Sequence, residues 1–224
     1  MKELHIQRNI TVPIVACLIF LIAGHTAQAR DDWQYWGTFT VNHAITERNG
    51  LSLLYEVYAK DNMSDDYVYL AIPTYKRVIG QGFSFLGGGY FESVQKDPNN
   101  WNNVRSVFLG PVYQLIPHPK WIIESQVKFY YQLAPSREWD YYRPRLSISH
   151  KLGTFTLSAE DEMRVDLTNE RETKFFRNRV FVTGTKKLND SLSVGLGYIR
   201  QSDKVDNRWR SINALHSVLT YTIK

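Results

Sequence analysis

The sequence predicts an all-β protein: a single antiparallel transmembrane β-barrel of about 10–12 strands after a cleaved signal peptide. Three observations carry this. Between Trp121 and Asp203 apolar and polar residues alternate with a period of two, the pattern of strands with one greasy and one wet face. The alternating runs are about 11–14 residues long, against ~5–6 in soluble sheets and about 9–11 for a tilted bilayer crossing. The N-terminus reads as a secretory signal, with Lys2 and Arg8 ahead of an apolar core from Ile14 to Ala23 and an Ala27-Gln28-Ala29 cleavage site. Residues 1–29 are therefore expected to be a signal peptide, and residues 30–224 the barrel domain. The inverse arrangement, a lipocalin-like barrel with its apolar face inside, fits the strand length and the aromatic strand ends less well.

Each element follows from the same alternation. Trp33 to Ala44 is the first strand, with Trp33, Tyr35, Phe39 and Val41 on one face and Gln34, Thr38, Thr40 and Asn42 on the other. Thr46 to Gly50 is a turn, with Asn49-Gly50 as the hairpin signal. Leu51 to Lys60 is expected to send Leu51, Leu53, Tyr55, Val57 and Ala59 outward and Ser52, Glu56 and Lys60 inward. Asp66 to Tyr75 is apolar on both faces, and Pro73, which cannot donate to a ladder, predicts a bulge there. Gly82 to Val94 carries Gly87-Gly88-Gly89, a signal for a bend or a close backbone approach. Asn103 to Leu115 precedes a rigid turn at Pro117-His118-Pro119.

The regular region then supplies strands from Trp121, Tyr142, Phe155, Phe176 and Leu192. In the fourth of these, Phe176 is expected on the apolar face with Val180 and Val182. Its connections alternate between tight turns (Leu152-Gly153, Leu188-Asn189-Asp190) and longer, charged loops (Ala134 to Trp139, Thr168 to Thr173), as in outer-membrane barrels. Arg210 to Ile223 closes the chain. The strands sum to about eleven, while single-chain bacterial barrels have even numbers. That parity predicts 10 or 12, with the first strand at the rim or inside, or the Asp66 to Ile79 stretch merged or split. Asp161 breaks the pattern by falling on the apolar face, and a bulge or a headgroup depth would accommodate it.

Composition excludes several classes. The mean hydropathy of −0.35 is too low for a helical membrane protein but not for a barrel. The apolar core of the signal is too short to be a spanning helix, and Cys17, the only cysteine, lies inside it rather than at a lipobox end. The mature chain then has no thiol or disulfide chemistry. Cleavage removes Lys2, Arg8 and Glu3, taking the formal charge from +5 to +4, a mild excess that argues no nucleic-acid partner. No cofactor or metal spacing is present in the sequence, and Gly87-Gly88-Gly89 opens no helix that could make it a phosphate loop.

The chemistry of interest lies on the polar faces. The inward set is Glu56, Glu92, Glu124, Lys128, Arg143, Arg145, Glu160, Glu162, Arg164, Arg177 and Arg179, much of it on consecutive strands. Rows of opposite sign are expected to face each other. They would form either a structural network filling a narrow lumen or a charged constriction that selects anions or holds a ligand, with small solutes as its partners. His216-Ser217 and Ser149-His150 invite a lipid-hydrolase reading. Adjacent strand residues point to opposite faces, so neither pair can act together without a cross-strand partner.

Arg143-Pro144-Arg145-Leu146, Glu160 to Arg164, Arg177-Asn178-Arg179 and Lys187-Leu188-Asn189-Asp190, with the Trp36 strand and Leu53-Leu54-Tyr55-Glu56, together resemble the DUF2490 family. The resemblance implies an outer-membrane barrel of Gram-negative bacteria, with no biochemical activity attached and no catalytic residues to carry over. Its partners would be outer-membrane lipid and the barrel assembly machinery. The last strand departs from such barrels by ending on Thr222, Ile223 and Lys224 rather than on an aromatic residue. The expected function is a narrow pore or an envelope structural protein with a charge-lined lumen. The alternatives are a lipid-modifying enzyme and a soluble periplasmic ligand-binding barrel.

Overall fold

The computed structural model describes residues 33–60, 65–97, 100–133, 140–168, 175–205 and 208–223. They form eleven strands: β1 (Trp33–Ala44), β2 (Asn49–Lys60), β3 (Asp65–Gly80), β4 (Phe83–Asp97), β5 (Asn100–His118), β6 (Trp121–Gln132), β7 (Tyr141–Leu152), β8 (Phe155–Asp166), β9 (Phe175–Lys187), β10 (Leu192–Val205) and β11 (Arg208–Ile223). Each pairs with its sequence neighbours in one closed barrel.

Eleven corrects the parity argument. Every hairpin reverses the chain, so an odd meander brings its first and last strands into the same direction. Closure then has to be parallel. β1 and β11 do pair in parallel, in unbroken register from Trp33↔Asn213 to His43↔Ile223, while the other ten pairings are antiparallel. β1 is a full member of the wall, neither at the rim nor inside it.

Alternation sorts the side chains as the sequence pattern requires. Outward residues are large and apolar, with Leu196 at 75% exposure, Tyr131 at 63% and Leu109 at 60%. Inward residues are buried in two clusters: Leu70, Ile72, Tyr90, Phe108, Tyr130 and Tyr141 with their neighbours, and Trp36, Tyr58, Val68, Ile199 and Ala214. The core thus lies inside the barrel, and the greasy belt lies outside it.

Several local expectations change. No bulge forms at Pro73. The β3–β4 register runs unshifted from Ala71↔Phe91 to Thr74↔Gly88, with Ile72 and Pro73 simply unbridged. Gly88 makes this possible, because a Cβ there would lie 2.2 Å from the Pro73 carbonyl oxygen and 2.6 Å from the Phe108 ring. The triple glycine is therefore a close backbone approach. A bulge does occur between Arg164 and Val165. The slipped residue flips the start of β9, so Phe176 turns inward against Tyr141 while Phe175 meets Trp209. Asp161 sits at no bulge; it accepts a hydrogen bond from Asn178 Nδ2 at 2.5 Å on the outer face.

The first turn also shifts. Asn49 and Gly50 belong to β2, and the chain turns over residues 45–48, where Thr46 Oγ1 accepts from the Asn49 amide at 3.0 Å and from its Nδ2 at 2.8 Å. The Thr46 side chain does the work expected of the Asn-Gly pair. Likewise, β5 runs through His118, so the next turn is Pro119-Lys120. The expected loops at 134–139 and most of 168–173 lie outside the described residues, as does the signal peptide.

Candidate functional site

The interior charges are placed by five adjacent strands, β6 to β10, with Glu92 on β4 and Glu56 on β2 across the lumen, and each arrives through simple alternation. Arg143 on β7 and Glu162 on β8 meet at 2.7 Å. Arg179 on β9 approaches the other Glu162 oxygen at 3.8 Å, an ion contact without a hydrogen bond. The Arg179 Nε donates to Gln201 Oε1 at 2.5 Å, Gln201 Nε2 donates to Asp203 Oδ2 at 2.6 Å, and Asp203 in turn accepts from Arg177. One connected chain of polar groups therefore runs from β7 to β10. Glu162, Arg164 and Arg179 are each 4% exposed. Charges so buried persist only when paired and hydrogen-bonded.

Arg145 forms a second, wetter node. It lies between Glu124 at 3.5 Å and Glu160 at 3.3 Å, with all three side chains partly exposed. Glu56 stands apart from both nodes. It accepts from the Tyr58 hydroxyl at 2.5 Å and from Thr38 Oγ1 at 3.4 Å.

Among the described residues, two candidate cations form no close ion pair, although carboxylates act on both from farther away, Glu92 and Glu162 on Arg164 and Glu162 and Glu56 on Lys128. Lys128 Nζ lies 4.8 Å above the centre of the Phe108 ring, and the Arg164 guanidinium lies 5.3 Å above that of Tyr141. Arg143 also sits over Tyr130 at 5.7 Å, and Arg179 over Trp36 at 4.9 Å. Ring faces contribute ~0.5–2 kcal/mol to a desolvated cation, far less than a full ion pair in the same place. The expected facing rows of opposite sign therefore form only in part. Glu162 serves two arginines, Arg177 turns to Asp203, and Arg164 and Lys128 rest on aromatic rings.

Those rings are what the sequence pattern missed. Trp36 and Tyr58 stack at 4.1 Å, Tyr130 and Tyr141 at 4.7 Å, and Tyr90 meets Tyr130 edge-on at 5.6 Å. All five face inward and are at most 3% exposed. Their position in the alternation was the available signal, but the sequence pattern presents aromatic residues at the strand ends, as a mark of a membrane barrel, and not as an interior layer. Gln34 also belongs here, accepting from Trp36 Nε1 at 3.1 Å and from the Tyr67 hydroxyl at 2.7 Å.

Together these side chains close the barrel at one level. Toward the short turns the inward residues include the Arg145 node and small hydroxyls such as Thr40, Ser52, Thr74, Ser149, Ser158 and Thr185, none of them fully buried, while on β4 and β5 the packed cluster continues through Leu86 and Val112. The interior is thus a polar cup over a packed aromatic and ionic floor.

The His-Ser motifs separate as the strand geometry demands. His216 points inward and its Nε2 meets Thr38 Oγ1 at 2.9 Å, while Ser217 contacts the Tyr35 hydroxyl at 2.5 Å on the outer face. A hydroxyl beside an imidazole is half of a nucleophilic pair. The other ring nitrogen, Nδ1, has no hydrogen-bond partner, so no carboxylate orients the ring. His150 packs on Trp121 at 4.2 Å. Among the described residues no group of three His, Cys, Asp or Glu side chains could hold a metal.

A family model described as a protein of unknown function (DUF2490) matches residues 33–211, from the first residue of β1 into β11. No curated protein matches the chain.

Proposed function

We propose that this chain, which belongs to the DUF2490 family, is an outer-membrane β-barrel that serves the envelope as a plugged structural element and not as a through-pore. The observation that carries this reading is the buried layer of Trp36, Tyr90, Tyr130 and Ile199 with Glu162, Arg164 and Arg179, each at most 4% exposed. A conducting lumen needs a continuous water path with exposed polar walls. Side chains buried this completely across the lumen leave none. Small solutes would enter the hydroxyl-lined cup and stop at its floor.

The membrane location rests on the outer face. Contiguous exposed apolar surface on this scale marks a membrane or protein contact. The strand lengths suit a tilted crossing. Signal cleavage after Ala29 would deliver the chain to the periplasm, and the barrel assembly machinery would insert it, with β11 presenting Leu215, Leu219, Tyr221 and Ile223 outward. Membrane fractionation tests this. The barrel should stay with the outer membrane through carbonate washing and need detergent for release. Release by carbonate as a soluble protein would favour the periplasmic ligand-binding barrel. Turnover of lipid A or phospholipid, lost in His216→Ala, would favour the enzyme.

A further inference from the structure

The charge excess of the chain is concentrated at one end of the barrel. The five short connections, with the strand ends that enter them, cover residues 45–49, 76–82, 116–120, 151–154 and 186–191. Arg48 lies in the first, Lys76 and Arg77 in the second, Lys120 in the third and Lys151 in the fourth. The fifth adds Lys186 and Lys187, and the acids of the whole rim are Glu47 and Asp190. The rim is therefore net +5, equal to the formal excess of the entire chain, so the charges everywhere else cancel.

Backbone hydrogen bonds join neighbouring connections into one surface. The Val78 amide donates to the Arg48 carbonyl at 2.7 Å, Lys151 to that of Lys120 at 2.7 Å and Lys187 to that of Thr154 at 2.8 Å. Like charges thus stand side by side, which is unfavourable until an opposing charge is supplied. Lys187 has a close ion pair, with Asp190 at 2.9 Å. Among the described residues the other six cations have none. Arg77 and Lys186 point outward, opposite the exposed rings of Phe85 and Phe155 where the apolar belt ends.

Each connection also exposes one large aliphatic side chain. Ile45, Ile79, Ile116, Leu152 and Leu188 are all between 49% and 58% exposed. A soluble polyanion would meet the cations and leave these five side chains in water. A phospholipid surface meets both, with phosphate against the cations and the upper acyl chains against the aliphatics.

We infer that the short-turn rim is a docking surface for anionic phospholipid headgroups, held by Arg77, Lys120, Lys151 and Lys186. The inference rests on the membrane reading of the outer face, under which the short turns meet the periplasmic leaflet.

The test is electron paramagnetic resonance of the protein reconstituted in phosphatidylcholine vesicles with a trace of spin-labelled phosphatidylglycerol or spin-labelled phosphatidylcholine. Lipid held at the barrel wall gives a motionally restricted signal, which reads insertion itself. At low salt the association constant should be about two- to fivefold higher for phosphatidylglycerol. The preference should fall toward equality in about 1 M salt, where the Debye length is ~3 Å. Arg77→Gln/Lys186→Gln should lower it by roughly half. Arg105→Gln/Arg208→Gln, which removes two exposed cations toward the long loops, should retain it. Equal losses in the two double variants would overturn the inference, since attraction would then follow total charge. A restricted signal without any phosphatidylglycerol preference would overturn it alone and leave the rim to an acidic soluble partner. No restricted signal with either lipid would overturn the membrane reading with it.

Discussion

Glu162 is the residue on which the interior electrostatics turn, because one carboxylate faces both Arg143 and Arg179. Removing its charge leaves the buried Arg179 and the partly buried Arg143 guanidiniums without that carboxylate. Glu162→Gln should destabilise the barrel by ~3–5 kcal/mol, read as a lower urea midpoint for the loss of the compact, fast-migrating form on unheated gels. Glu160→Gln, at the partly exposed Arg145 node, should cost at most ~1 kcal/mol in the same assay. Equal costs would mean that the two nodes are equally wet. At this scale the sequence showed which way the charges point, because a period of two leaves no choice once one face is apolar. It did not show their partners. Partners depend on stagger between strands, and Arg177 finds Asp203 rather than a glutamate because β9 pairs with β10 in a register that no local pattern encodes.

Among the elements, β3 and β4 show how a strand tolerates a proline. Pro73 faces outward and interrupts the ladder without a bulge, since Gly88 lets the two backbones close in. Gly88→Ala has no space at either the Pro73 carbonyl or the Phe108 ring, so it should cost ~1–3 kcal/mol in the urea assay. Wild-type stability in that variant would show that the approach is looser. The β1–β11 seam was hidden from sequence reasoning for a different reason. The strand count was legible, but even parity is a habit of known bacterial barrels and not a physical requirement; parallel closure satisfies the backbone of an odd barrel equally well. Paired cysteines test the seam in a mature chain expected to have no other thiol. Phe39→Cys with Leu219→Cys, aligned across the seam, should cross-link on oxidation, as should the antiparallel control Val41→Cys with Leu53→Cys. Cross-linking of the control alone would open the barrel at that seam. The Arg164–Val165 bulge, which turns Phe176 inward, was likewise invisible, because a single inserted residue leaves no mark in composition.

For the molecule as a whole, the two sides of the wall do different work. The outer face is a continuous apolar belt, and the inner face divides into a hydroxyl-lined cup and a packed floor. The barrel was readable from strand length and alternation together. The floor was not, since inward aromatics look the same in sequence as girdle aromatics. Processing offers one check on the whole chain: the mature protein recovered from membranes should begin at Arg30, and an intact Met1 would remove the signal peptide from the account. The most direct test of the central claim is single-channel conductance of the folded protein in a planar bilayer. A plugged barrel should be silent while remaining folded. Discrete openings, with an anion preference that falls in the Arg177→Ala/Arg179→Ala double variant, would contradict it and establish a charge-lined pore.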